Sequence, residues 1–128
     1  MEVGQTAKLS KVFTQDDVNT FATLSLDTNE VHLNEEFAKT TIFKKRIIHG
    51  FLSGSLISGV IGTILPGKGA IYLHQDMDFK KPVYVGEEIT AVVEVERINN
   101  EKHIAYLKTM CVNESNEIKI IGTAIIKY

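Results

Sequence analysis

The longest unbroken apolar stretch of the chain is FLSGSLISGVIGTIL, residues 51–65, which holds neither a charge nor a proline. A helix without a polar face is buried. At about 1.5 Å of rise per residue this one reaches about 22 Å, short of the roughly 20 apolar residues that a membrane span requires, so its cover is expected to be protein. Spaced at about 100° intervals, Leu52, Leu56, Ile57, Val60 and Ile64 gather on one side. Gly50, Gly54, Ser55, Ser58, Gly59 and Gly62 gather on the other, with Phe51 the intruder. The first arc predicts core. The second predicts close approach of a backbone or a ligand, because a glycine inside a helix costs roughly 0.5 to 1 kcal/mol against alanine and a structural gain must offset it.

Shorter pieces precede this helix. Residues 6–13 carry strand-like content in Leu9, Val12 and Phe13. Thr14-Gln15-Asp16-Asp17 then opens a helix, with Thr14 as N-cap, two acids in the first turn and an apolar face of Val18, Phe21 and Ala22. That helix fades at Ser25 into the polar loop LDTNEVHLN, followed by a short helical piece at residues 35–39. TTIFKKRIIHG leads to the central helix, with His49 and Gly50 at its entrance, and Pro66-Gly67-Lys68-Gly69 stops it. Beyond this point the period becomes two. AIYLHQDMDF, EITAVVEVERI, HIAYLKTMCV and EIKIIGTAIIKY read as four successive strands, and the hairpin-length links among the last three argue for antiparallel pairing. The pattern predicts an α+β domain covering residues 1–128, with about five strands wrapped around one long helix.

Composition narrows the partners. The chain has 128 residues, 44% of them hydrophobic and 23% charged, with a net charge of -2, which suits one globular domain with a real core and leaves no basic footprint for nucleic acid or a membrane surface. The first residues lack the apolar region of a secretory signal, and a single cysteine, Cys111, allows no internal disulfide, so the cytoplasm is the expected compartment. Cys111 lies in a strand pattern and reads as a core filler. His74 and His103 have no companions at ligand spacing, and no phosphate-binding glycine motif is present, so neither a metal nor a nucleotide cofactor is expected.

The segments DTNEVH (27–32), IIHGFLSGSLISG (47–59), PGKGAIYL and FKKPVYVGE occur in an order that resembles the MaoC-like hotdog-fold proteins, and among them the bacterial R-specific enoyl-CoA hydratases that feed polyhydroxyalkanoate synthesis. The resemblance covers essentially the whole chain without large gaps. It implies a hotdog fold, a homodimer with two acyl-CoA sites at or near the subunit interface, and a hydro-lyase needing no cofactor beyond the coenzyme A that its substrate carries. The chain departs from the family pattern at Glu30, where proline is common, and at Leu26, where glycine is frequent.

Hydrating a 2-enoyl thioester requires a base for the water, a proton for the α-carbon and stabilisation of charge on the thioester oxygen. Asp27 and His32, five residues apart on one loop, are close enough to hold one water between them. On spacing alone the plainer reading is better: Asp27 making an Asx turn or a cap, and His32 a partly buried polar residue. The resemblance reverses this, since both match the family's catalytic positions; which is acid and which is base stays open. Gly50 offers a backbone N–H at a helix start to the thioester oxygen. Ser58 matches the family's helix serine, against the reading of a hydroxyl bonded to its own helix. Asn29 joins this substrate-binding group, with bracing of the loop its more natural role. His49 reads as a capping or packing residue rather than a catalytic one. Lys44, Lys45 and Arg46 form a basic run that reads as solvated surface, with coenzyme A phosphates as the alternative. Two competing functions are a hotdog thioesterase, which would direct the same water to the carbonyl carbon, and a non-catalytic acyl-CoA-binding module.

Overall fold

In the computed structural model, which describes all residues Met1–Tyr128, ten elements follow one another along the chain. They are β1 (Thr6–Val12), α1 (Gln15–Ser25), α2 (Glu30–Leu33), α3 (Glu35–Lys39), α4 (Gly50–Thr63), β2 (Ile71–Gln75), β3 (Asp78–Phe79), β4 (Glu88–Asn99), β5 (Ile104–Asn113) and β6 (Ile118–Lys127). The strands form one antiparallel sheet in the order β1-β4-β5-β6-β2, with β3 also paired to β6. This sheet curls around α4, the hotdog arrangement.

The alternation of the C-terminal half sets the packing. Ile89, Ala91, Val93 and Val95 of β4, Ala105 and Leu107 of β5, and Ile120, Ala124 and Ile126 of β6 all turn inward and are sealed from solvent. They meet Leu52, Ile57, Val60 and Ile61 of α4 in one continuous core. Each fully buried large aliphatic side chain contributes roughly 1.5 to 3 kcal/mol of transfer free energy, so this layer outweighs the poor helix propensity of α4. No helix is long and apolar enough to cross a membrane.

Three expectations change. The run at 70–79 is two strands rather than one, because the chain kinks at Asp76, whose Oδ1 accepts the Thr123 N–H at 3.1 Å. Gly122 lies so close beneath the Asp76 carbonyl that a Cβ there would collide with it. The polar loop at 26–34 contains an extra helical turn, α2. On α4, Ile64 is 47% exposed at the helix end, whereas Ile61, Ser53 and Gly54 are buried. The small arc is divided: at Gly50 and Gly54 it is a packing surface, the missing side chains being replaced by the Phe79 ring and by Met77, while Ser55, Ser58 and Gly62 are exposed.

Candidate active site

The loop after α1 is built by short side chains that bond the backbone. Thr14 caps α1 in a reciprocal capping box with Asp17, and the helix ends at Leu26, whose φ of 65° lies in the left-handed region. Ser25 Oγ donates to the Phe21 carbonyl at 2.7 Å and accepts the Asp27 N–H at 3.1 Å. Asp27 Oδ1 accepts the Asn29 N–H at 3.2 Å, so the Asx turn that sequence reasoning set against catalysis is present. It occupies one carboxylate oxygen and leaves the other free. Asn29 caps α2, its Oδ1 accepting the Val31 N–H at 3.2 Å, which is the bracing role. Glu30, where the family pattern has proline, is the first helical residue of α2, the position at which proline is best tolerated.

One turn of α2 carries His32 inward to 8% exposure. Its Nδ1 lies 2.8 Å from the Ile47 carbonyl, which only accepts, so Nδ1 carries the hydrogen and Nε2 of the neutral ring presents a lone pair. That Nε2 faces Asp27 Oδ2 across 4.0 Å, with half of the Asp27 side chain exposed. Burial holds the His32 pKa below its ordinary value, opposed by the Ile47 hydrogen bond and assisted by the neighbouring His49.

His49 is the residue whose place the sequence least revealed. It is 2% exposed and makes no capping bond to α4. Its Nε2–H donates to the main-chain carbonyl of Asp27 at 3.0 Å. Its ring stacks on His32 at 3.9 Å between centroids, with the Phe21 ring edge-on at 4.8 Å. The hydroxy and amide residues of DTNEVH advertised a turn, but nothing in the local pattern of IIHG showed that the two histidines meet. Gln15 was also missed: its Nε2 donates to the His32 carbonyl at 3.0 Å and ties α1 to the same turn.

The donor atoms of Asp27, His32 and His49 lie within 4.8 Å of one another. They suit a metal poorly. His32 Nδ1 and His49 Nε2 are committed to carbonyls, and the remaining nitrogens sit on rings stacked one over the other, so their lone pairs run side by side instead of converging.

Gly50 and Phe51 at the start of α4 have N–H groups without a partner in the chain. Gly50 also borders a cavity of about 470 Å³ whose walls include Phe43, Ile47, Phe79, Lys80 and Val83. Ser58 is exposed on the open side of α4, and its hydroxyl makes no hydrogen bond to Asp27 or His32. Of the basic run, Arg46 pairs with Glu35 at 2.9 Å and Lys45 lies over the Tyr84 ring.

The MaoC like domain family model matches residues 2–116. The chain is 48% identical to the (R)-specific enoyl-CoA hydratase of Aeromonas caviae, over 99% of this chain and 95% of the relative. It is 40% identical to the 3-hydroxybutyryl-CoA dehydratase of Methylorubrum extorquens, over 99% and 80%. Among solved structures, the (R)-hydratase of A. caviae involved in PHA biosynthesis superposes with a TM-score of 0.97 over 99% of this chain and 96% of that one. R-hydratase PhaJ1 of Pseudomonas aeruginosa in the unliganded form gives 0.93 at 40% identity, over 98% and 81%. The sheet curled around one helix, the loop that pairs Asp27 with His32 and these full-length matches agree: the chain belongs to the MaoC-like dehydratase family.

Proposed function

We propose that the protein is an (R)-specific enoyl-CoA hydratase that adds water reversibly to a trans-2-enoyl-CoA to give the (R)-3-hydroxyacyl-CoA, with Asp27 and His32 as its catalytic pair. The relatives support the reaction. The observation that carries the residue roles is the 4.0 Å gap between Asp27 Oδ2 and His32 Nε2. It is too long for a direct hydrogen bond. A single water donating two bonds of about 2.8 Å at its natural angle spans about 4.4 Å between acceptors, close to this separation.

In that arrangement His32 Nε2 takes one proton from the water as the hydroxyl adds to C3. Asp27 Oδ2 accepts the other water hydrogen and favours the imidazolium that forms. The electron pair of the C2=C3 bond moves to C2 in conjugation with the carbonyl, whose oxygen gathers charge opposite the unbonded N–H groups at the start of α4. The imidazolium then delivers its proton to C2. One hydroxyl and one proton are added, no electron acceptor is needed, and the ring returns to its starting state.

The working unit we propose is a homodimer in the cytoplasm. The outer edge of β2 is unpaired, and Ile71, Leu73, Phe51 and Phe79 are each more than half exposed, an apolar surface that a second copy would cover. The deciding experiment is an assay with crotonyl-CoA and chiral analysis of the product. Loss of the conjugated enoyl absorbance with formation of the R-alcohol supports the reading; release of free thiol without hydration would indicate a thioesterase. A fully active monomer in sedimentation would refute the dimer.

A further inference from the structure

We infer that His49 is a positioning residue that holds the catalytic loop in register with the start of α4, fixing the Asp27 main chain through its Nε2–H and the His32 ring through its face. The inference rests on the hydratase reading and deepens it.

One buried ring touches each part of the site. On one edge the Nε2–H donates to the Asp27 carbonyl at 3.0 Å. On its face lies His32, with ring centroids 3.9 Å apart and planes inclined by 28°. Through its own backbone it is joined to Gly50, whose N–H opens α4. Phe21 closes the remaining side edge-on, so the ring has little room to rotate. Its Nδ1 is buried without a hydrogen-bond partner. A residue selected only for core packing would avoid that orphaned nitrogen, since a phenyl ring fills the same space without it. The imidazole is retained where one donor must reach the Asp27 carbonyl while the ring remains flat against His32.

The other supports for Asp27 are local, and Gln15 ties only the His32 end of the loop to α1. Asp27 is half exposed, and its turn is held by hydrogen bonds of 3.1 and 3.2 Å from its own neighbours. His49 is the only side chain from a distant part of the chain that bonds Asp27; its other partners, Ser25 and Asn29, lie within two residues of it. Without His49, the 4.0 Å gap that fits one water is fixed on the Asp27 side only by bonds within the turn, which do not tie the turn to α4.

Two variants separate the functions of the ring. His49→Phe keeps the stack and loses the donor, whereas His49→Gln carries an amide that reaches the Asp27 carbonyl from the same backbone position. With crotonyl-CoA, His49→Phe is expected to lower kcat by about 10- to 100-fold, with KM changed less than about threefold, and His49→Gln to recover most of that loss. In an Asp27→Asn background the His49→Phe change should add little, because its effect passes through Asp27. Amide hydrogen exchange at Val31 and His32 should quicken in His49→Phe while the β4 and β5 amides keep their protection.

A folded His49→Phe enzyme with kcat within about twofold of the parent and unaltered loop exchange would overturn the inference. So would an equal loss in both Asp27 backgrounds, which is the signature of a merely smaller folded fraction. A parent protein that fails to hydrate crotonyl-CoA would overturn the functional reading instead, and the exchange measurement would still decide whether His49 holds the loop.

Discussion

Replacing the two catalytic candidates one at a time and together tests the shared-water geometry, provided the substitutions spare the fold. Asp27→Asn retains an oxygen for the Asn29 N–H, so the turn survives and stability should change by less than about 0.5 kcal/mol. His32 is different. It is 8% exposed, bonded to the Ile47 carbonyl and stacked on His49, so His32→Ala removes a buried ring and leaves a partly buried carbonyl without its partner, at a cost of about 1 to 3 kcal/mol, or a melting shift of roughly 3 to 12 °C. His32→Asn is the better probe, because its amide nitrogen stands near the place of Nδ1 and keeps the bond to Ile47 while Nε2 is lost. Loss of a positioned general base lowers turnover by about 10²- to 10⁴-fold. Each single variant should fall in that range, and the double variant should be little worse than the poorer single, since one water cannot be activated by half of a pair. The assay is initial-rate hydration of crotonyl-CoA, with melting curves for each variant. Fully additive losses in folded proteins would refute the shared water.

The acid limb of kcat/KM should lie below the ordinary histidine value of 6.5, because burial favours neutral His32; a limb above that value would contradict its role as base. The same sign makes His32's contribution to stability full above the unfolded pKa and lost as pH falls through the lower folded one, which acid melting curves would show. Leu26→Gly should raise stability by about 0.5 to 1 kcal/mol, because Leu26 sits at a φ of 65° and is 83% exposed, with no packing to lose; an unchanged or lower melting temperature would contradict this. Gly54→Val should lower the melting temperature rather than merely obstruct substrate, because a Cβ there meets Met77 Sδ at 2.7 Å; a native melting curve would show that Met77 moves aside without cost.

The period-two runs of the C-terminal half and the capping signal at Thr14 were legible because they are local: the alternation in β4 and the bond from Thr14 to Asp17 depend on residues a few positions apart. The split of the 70–79 run was not legible, since its cause is Gly122 beneath Asp76, a contact between segments far apart in the chain. The same limit hid the site. Asp27 and His32 share one loop and could be paired by spacing, whereas His49 reaches them only because the Ile48 N–H bonds the Val83 carbonyl and Ile47 meets His32, which together hold the approach to α4 against the loop. The helix glycines were legible as a demand for close approach, but the sequence could not say by what. Phe79 and Met77, on the segment that ends the split run, answer for Gly50 and Gly54.

That division leaves Ser58, with Ser55 and Gly62, on the exposed part of the arc, where we propose that substrate passes. Ser53 and Ser55 return their hydroxyls to carbonyls of α4, at 3.1 Å to Gly50 and 2.6 Å to Leu52, and Thr63 does the same to Gly59 at 2.7 Å. Ser58 makes no such bond and is exposed, on the same open side as Phe51, Ser55 and Gly62. Ser58→Val therefore should leave the fold intact, the opposite of Gly54→Val, while adding two methyl groups to the surface along which we expect the acyl chain to pass. KM should rise more for long enoyl chains than for crotonyl-CoA, whose short chain ends before it meets them. Ser58→Ala should cost about 0.5 to 1.5 kcal/mol in kcat/KM if the hydroxyl bonds substrate or a catalytic group. The measurement is kcat/KM for both variants over a series of chain lengths, with circular dichroism to establish folding. An equal loss at every length for Ser58→Val would remove the open side of α4 from the acyl path, and unchanged kinetics in folded Ser58→Ala would remove the hydroxyl from the site.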